Sequence, residues 1–298
     1  MNTTNIIELK ESIHPHKLAS KRYESLVGLD SQKEKLLHNL KLFFGRKTLD
    51  NWRKKHHPRG LPFFVFDNRS LQPPLILLSG EVGCGKTELA QTIATPLSSL
   101  VGGKRIRVME TPSDIRGGGR VGELSQRLTA AFEQARYKLK PKELGILIID
   151  EADDLATQRS QMQAHHEDRA GVNVLIKEID RLERDQIPLA VILITNRADV
   201  LDPAVLRRAA TQLAFSRPNN DSFEKLMELL LQGVTYSDDD IRKLVAASRK
   251  DEVRFTFSDV VHRIARQSLI EAYLKDRPFS PDIILEVIQA TKPTPLLT

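Results

Sequence analysis

The residues best suited to chemistry form the run Gly80-Glu81-Val82-Gly83-Cys84-Gly85-Lys86-Thr87, set between the apolar stretch 74–79 and Glu88-Leu89-Ala90-Gln91-Thr92-Ile93. Strand, glycine loop and helix in that order present backbone N–H groups and a helix N-terminus to the oxygens of a phosphate chain, and glycines let the backbone approach closely. At this spacing Lys86 reaches the β- and γ-phosphates of a nucleoside triphosphate, and the Thr87 hydroxyl holds Mg2+. Two further strand ends carry polar groups. The apolar run 145–149 ends in Asp150-Glu151-Ala152-Asp153-Asp154, and 189–195 ends in Asn196-Arg197. In open α/β sheets the ligand lies beyond the carboxyl ends of the strands, so both should emerge beside the glycine loop. Asp150 is then placed to hold Mg2+ through water, Glu151 to orient or deprotonate the water that attacks the γ-phosphorus, and Asn196 to fix that water. An acidic strand end can also begin a helix, and an Asn after a strand can be turn chemistry. The phosphate loop upstream favours the chemical reading.

Stepping outward along the chain, strands are expected at 74–79, 104–110, 145–149, 189–195 and 212–215, and helices at 33–44 and 123–137. The run 145–149 is continuously apolar, as in a parallel sheet covered on both faces. Residues 1–22 show no sustained apolar period and read as a tail, linker or partner-dependent segment without a fold of its own. The stretch 62–74 is turn-rich, and 113–122 is a loop containing Gly117-Gly118-Gly119. A short helix at 201–208 carries Arg207 and Arg208, which are either surface charge or a finger acting on a neighbouring subunit. Pro218-Asn219-Asn220 breaks the chain. From Asp221 every segment is expected to be helical, over 223–231, 239–248, 258–274 and 281–290, so a domain boundary belongs near Pro218.

The chain has 298 residues, about two average domains by length. Hydrophobic residues make up 40% and aromatic ones 5%, which predicts an aliphatic core and disfavours an aromatic-rich reader of single strands. Cys84, inside the glycine loop, is the single cysteine, so no intrachain disulfide can form and a cytoplasmic location is expected. The first ten residues lack a signal-peptide pattern, and no apolar run approaches the ~20 residues of a membrane span. The formal charge of +6 reflects 45 Lys and Arg against 39 Asp and Glu. A basic stretch at 46–59 could contact nucleic acid or an acidic partner. With Trp52 its single aromatic, a solvated loop or an intersubunit surface is the preferred reading.

Taken in order, the glycine loop, Asp150-Glu151, Thr195-Asn196-Arg197, Leu201-Asp202-Pro203-Ala204 and the helical C-terminal part resemble the AAA+ ATPases over nearly the whole chain. That resemblance implies an α/β P-loop NTPase fold. Its parts would be a five-stranded parallel sheet with helices on both faces and a small all-helical lid. The division would be a tail at 1–22, a large nucleotide-binding subdomain at 23–218 and the lid at 219–298. It also implies ATP and Mg2+ as cofactors and a homo-oligomeric ring, commonly a hexamer. ATP would be held by Val27, Gly28, Gly80, Glu81, Val82, Gly83, Cys84, Gly85, Lys86, Thr87, Glu88 and Asp150. Arg208, with Arg207 as runner-up, would be the arginine finger.

Phe257-Ser258-Asp259-Val260-Val261 resembles the lid entry of the remodeller clade. Within that clade, residues 204–209 and 168–175 ahead of Ile179-Asp180 are similar to the pachytene-checkpoint family, whose members unfold the edge of HORMA-domain proteins through the ring pore. Bacterial relatives of that family lack a large N-terminal adaptor domain and are associated with antiphage operons. The resemblance thus implies an ATPase that remodels a HORMA-domain protein, without membrane attachment. A nucleic-acid-associated AAA+ ATPase such as a loader is the alternative. One departure stands out: aligning Gly122-Glu123 with the family's pore loop puts Arg120 and Val121 where an aromatic and an apolar residue are expected, so either these two grip a different peptide, or the alignment is offset within the glycine run, or the pore does not translocate polypeptide. The loop 159–169 is the other pore candidate, and its His165-His166-Glu167 is a poor metal site because adjacent residues converge badly on one ion.

Overall fold

The computed structural model describes residues 7–61, 75–113, 115, 122–154, 166–250 and 252–296. The chain divides into two compact units. The first takes in Met1–Tyr23, Gln32–Ser79 and Thr87–Ala214, and the second Glu24–Ser31, Gly80–Lys86 and Phe215–Thr298. The strands are β1 (Lys10–His14), β2 (Leu75–Gly80), β3 (Ile106–Glu110), β4 (Leu144–Ile149), β5 (Leu189–Thr195), β6 (Ala209–Phe215), β7 (Arg249–Lys250) and β8 (Val253–Arg254). The first helices are α1 (Lys17–Ser25), α2 (Asp30–Phe44), α3 (Arg46–His56), α4 (Lys86–Thr92), α5 (Ala94–Leu100) and α6 (Glu123–Lys138). They are followed by α7 (His166–Arg184), α8 (Pro203–Leu206), α9 (Asn220–Leu230), α10 (Asp238–Ala247), α11 (Ala265–Leu274) and α12 (Pro281–Ala290).

The first unit is built on a six-stranded sheet in the order β1-β3-β4-β5-β2-β6. Strands β3, β4, β5 and β2 run parallel. Leu77, Leu147, Ile149, Val191 and Leu193 join Leu128 and Phe132 of α6 and Leu175 and Ile179 of α7 in one apolar core. The register, with Leu147 opposite Val191 and Ile149 opposite Leu193, puts these strand residues on one face. The alternate residues Ile76, Leu78, Ile146, Ile148, Ile192 and Ile194 are no more than 3% exposed, so the other face is covered as well. That double covering explains why β4 and β5 are written as unbroken aliphatic runs instead of alternating ones.

One strand exceeds the expected five, and it comes from the stretch read as a tail. Among the described residues of 1–22, Lys10–His14 pairs antiparallel with β3, Lys10 opposite Glu110 and His14 opposite Ile106, and α1 follows. Polar contacts hold this edge strand. Arg107 of β3 donates to Glu11 at 2.7 Å and to Glu143 at 3.1 Å. The buried His14 ring contacts Ser12 Oγ at 2.9 Å and Thr95 Oγ1 at 2.7 Å. The basic stretch is also more ordered than a solvated loop: its residues 46–56 form α3. Trp52 of that helix, with Phe43, Leu49, Leu100, Leu144 and Pro188, lines a cavity of about 910 Å³. Leu144 begins β4 and Pro188 precedes β5, so this cavity lies at the opposite strand ends from Asp150 and Asn196.

In the second unit α10 packs on α9 and α12, and α11 packs on α12. The starts of α9 and α10 have local causes. Asn219 accepts a bond from Ser222 N–H at the head of α9, and Ser237 and Asp240 form a reciprocal capping box on α10. The expectation of helix alone after Asp221 is corrected by a two-stranded antiparallel ribbon, β7 with β8, while the helix expected over 258–274 is present, opening with a π-helical turn at Asp259–Ile264 ahead of α11. Strands of two residues leave no periodicity to read.

Candidate active site

The glycine loop lies in the second unit, and its glycines are there for steric reasons. Gly80 has φ +130°, and a Cβ on it would fall 1.9 Å from the Phe215 carbonyl oxygen. Gly83 has φ +74°, and its Cβ would meet Thr256 Oγ1 at 2.9 Å, while its carbonyl accepts the Ser258 N–H at 3.0 Å. Lys86 is buried, and its ammonium donates to the Gly80 and Glu81 carbonyls at 2.7 and 2.6 Å. The charge is therefore held against the loop backbone. Cys84 is fully buried, and burial with the nearby Glu81 carboxylate pushes its thiol up to about 11. It packs the loop and is no nucleophile.

The strand ends lie in the first unit. Thr87 Oγ1 donates to Asp150 Oδ2 at 2.7 Å, so the two oxygens expected at Mg2+ are already neighbours. A hydroxyl and a carboxylate are the hard oxygen groups that suit Mg2+, which keeps several of its waters, and Asp150 would act through one of them. Glu151 follows with φ +55°, rare for a non-glycine residue, and is exposed, with its N–H donating to Asp150 Oδ1 at 2.8 Å. Asp153 then reaches across to β5. Its Oδ1 accepts the Thr195 hydroxyl and, at 3.0 Å, the Asn196 N–H. The half-buried Asn196 is thus fixed from the end of the neighbouring strand.

The other expected positions are placed as follows. Arg208 makes a two-pronged bond to Asp180 of α7 at 2.7 and 2.9 Å and donates to the Ala204 carbonyl at 3.2 Å. The Asp180 carboxylate raises its pKa further. Arg207 is exposed and donates to the Pro203 carbonyl at 3.3 Å. Glu88 is paired with Arg22 at 2.5 and 2.6 Å. Val27 is half-buried, and Gly28 has φ +73° with Ser222 2.5 Å from where its Cβ would be. Arg120, Val121 and residues 159–165 lie outside the described residues, whereas 166–169, expected in a pore loop, open α7. No group of three or more His, Cys, Asp or Glu able to hold a metal occurs among the described residues.

Sequence reasoning left Asp153, Asp180, Arg217 and Asp259 without a structural task. Asp153 and Asp180 stood inside segments already singled out, but nothing in the spacing gave them partners. Arg217 donates to Glu81 Oε2 at 2.6 Å and to the carbonyls of Arg254, Thr294 and Pro295 at 2.6, 2.7 and 3.0 Å. Burial pushes the Asp259 carboxyl up, but bonds from Thr256 N–H, Thr294 and Arg263 outweigh it and hold the group down at about 2.

Comparison with known proteins gives a consistent picture. The family model described as "ATPase family associated with various cellular activities (AAA)" matches residues 76–217. CD-NTase-associated protein 6 of Escherichia coli (strain MS 115-1) is 39% identical over 287 residues, 92% of this chain and 90% of that protein. A chain in the solved structure of the E. coli MS115-1 HORMA:CdnC:Trip13 complex matches with a TM-score of 0.89 and 36% identity, covering 100% of this chain and 99% of that one. The structure of Rhizobiales Trip13 matches with a TM-score of 0.73 and 35% identity over 97% of this chain and 100% of its own.

Proposed function

Since this chain belongs to the AAA ATPase family, as a relative of CD-NTase-associated protein 6, we propose that it forms a cytoplasmic ring, a hexamer, that spends ATP on remodelling a HORMA-domain protein in an antiphage system. The observation that carries this reading is the match along the full chain to a member of the HORMA:CdnC:Trip13 complex. ATPase activity follows from the family. The assignment of roles is our own: 23–218 as the nucleotide-binding subdomain, 219–298 as the lid, and Val27, Gly28 and 80–88 around the nucleotide.

In this mechanism the N–H groups of the loop and the Lys86 ammonium bind the phosphate chain. Thr87 and, through water, Asp150 would hold Mg2+, which would supply positive charge against the phosphate oxygens. Glu151 accepts the proton of the attacking water as its oxygen bonds to the γ-phosphorus and the bond to the leaving ADP oxygen breaks. Asn196, fixed by Asp153, donates to hold that water in line. Arg208 releases Asp180 and meets the γ-phosphate of a neighbouring subunit. Arg120 and Val121 are proposed to line the pore.

The test is capture. Glu151→Gln protein incubated with ATP and extract of its native host should retain a HORMA-domain protein. Retention of nucleic acid or a replication protein in its place would overturn the reading.

A further inference from the structure

Glu81 places a carboxylate in a loop whose task is to hold anions, which is an unfavourable choice unless something answers its charge. In the structure Arg217 does so. Its guanidinium side chain is 7% exposed and donates Nε to Glu81 Oε2 at 2.6 Å. Three further donors are engaged: Nη1 to the Arg254 and Thr294 carbonyls at 2.6 and 2.7 Å, and Nη2 to the Pro295 carbonyl at 3.0 Å. Thr294 is itself held, since its N–H and hydroxyl both donate to Asp259, at 3.1 and 2.7 Å. The loop end of this chain of bonds is equally fixed, because the Glu81 carbonyl accepts the Lys86 ammonium at 2.6 Å.

We propose that Arg217 is a positioning residue of the phosphate loop. It neutralises Glu81 and anchors it to the segment after α12, so that nucleotide affinity depends on a residue that touches no nucleotide. A planar five-donor guanidinium suits this task, whereas a lysine could not serve one carboxylate and three carbonyls at once. The inference rests on the assignment of 80–87 as the phosphate loop.

The experiment measures ATP affinity by titration calorimetry, with thermal melting alongside, for wild type, Lys86→Ala, Arg217→Met, Arg217→Lys and the double variant Glu81→Gln/Arg217→Met. Arg217→Met leaves an unanswered carboxylate at the anion site and should weaken ATP binding about tenfold. Glu81 would meet the phosphates through its backbone N–H, which glutamine keeps, so removing the side-chain charge in the double variant should restore affinity to within about threefold of wild type, although the melting temperature stays as low as in Arg217→Met. Arg217→Lys should fall between wild type and Arg217→Met. If Arg217→Met does not fold, Glu81→Asp keeps the charge but falls short of Arg217, leaves the three carbonyl bonds in place, and should weaken ATP binding by more than about threefold. Wild-type affinity in Arg217→Met or Glu81→Asp, or a double variant as weak as Arg217→Met, would overturn the proposal. Normal ATP binding by Lys86→Ala would instead overturn the loop assignment beneath it.

Discussion

In the proposed mechanism the carboxylates beyond β4 take different roles according to the partners each one has. Asp150 accepts from Thr87 and from the Glu151 N–H, which leaves Glu151 the exposed one, on a strained backbone. We expect Glu151→Gln to keep ATP affinity while turnover falls by about 10² or more, read by single-turnover hydrolysis beside a binding titration. Asp153 acts one step away. Its carboxylate sets the Thr195-Asn196 turn, so Asp153→Ala should lower kcat about tenfold with little change in KM for ATP. An equal rise in KM would place Asp153 in nucleotide binding instead. Asp259 serves stability. Its folded-state carboxyl titrates at about 2, below the ordinary value of 3.8, so its contribution is complete above about pH 4 and is lost as pH falls toward 2. That contribution is about 2 kcal/mol, and Asp259→Asn should remove it from an acid-denaturation profile.

At the scale of elements, β1 is the part most open to test. Burial holds the His14 ring neutral and lowers its pKa from 6.5 to about 4, so the folded state binds fewer protons than the unfolded chain between those values. Stability is therefore lost as pH falls from about 6.5 to about 4, by up to about 3 kcal/mol, and His14→Gln should flatten that part of the profile. The same strand shows where the sequence could not be read. Lys-Glu-Ser-Ile-His is exposed at four of its five positions, so it has no apolar alternation, and what makes it a strand is the edge of β3 and the Arg107 contacts. The ribbon of β7 and β8 was hidden for a different reason, its two-residue strands being too short to show a period. By contrast β2, β4 and β5 were legible because burial on both faces forces unbroken aliphatic runs, and the loop was legible because only glycine tolerates the Phe215 oxygen beside Gly80. Asp153, Asp180 and Arg217 were not, since their partners come from distant segments and leave no trace in local spacing.

For the whole molecule, the proposed ring makes a prediction about shared sites. If Arg208 completes the site of a neighbour, Arg208→Ala and Glu151→Gln proteins should each be inactive alone yet recover part of the turnover when mixed, because some interfaces then pair an intact Glu151 with an intact Arg208. An inactive mixture would argue for a site complete within one chain. No helix among the described residues is long and apolar enough to cross a membrane. The central claim is that ATP hydrolysis here serves a HORMA-domain protein. It is tested most directly by steady-state ATP turnover of the purified protein with and without a HORMA-domain protein from the same host, with Glu151→Gln as control. The account predicts turnover that rises several-fold with the partner and vanishes in Glu151→Gln. Turnover that ignores the partner, or that survives the loss of Glu151, would contradict it.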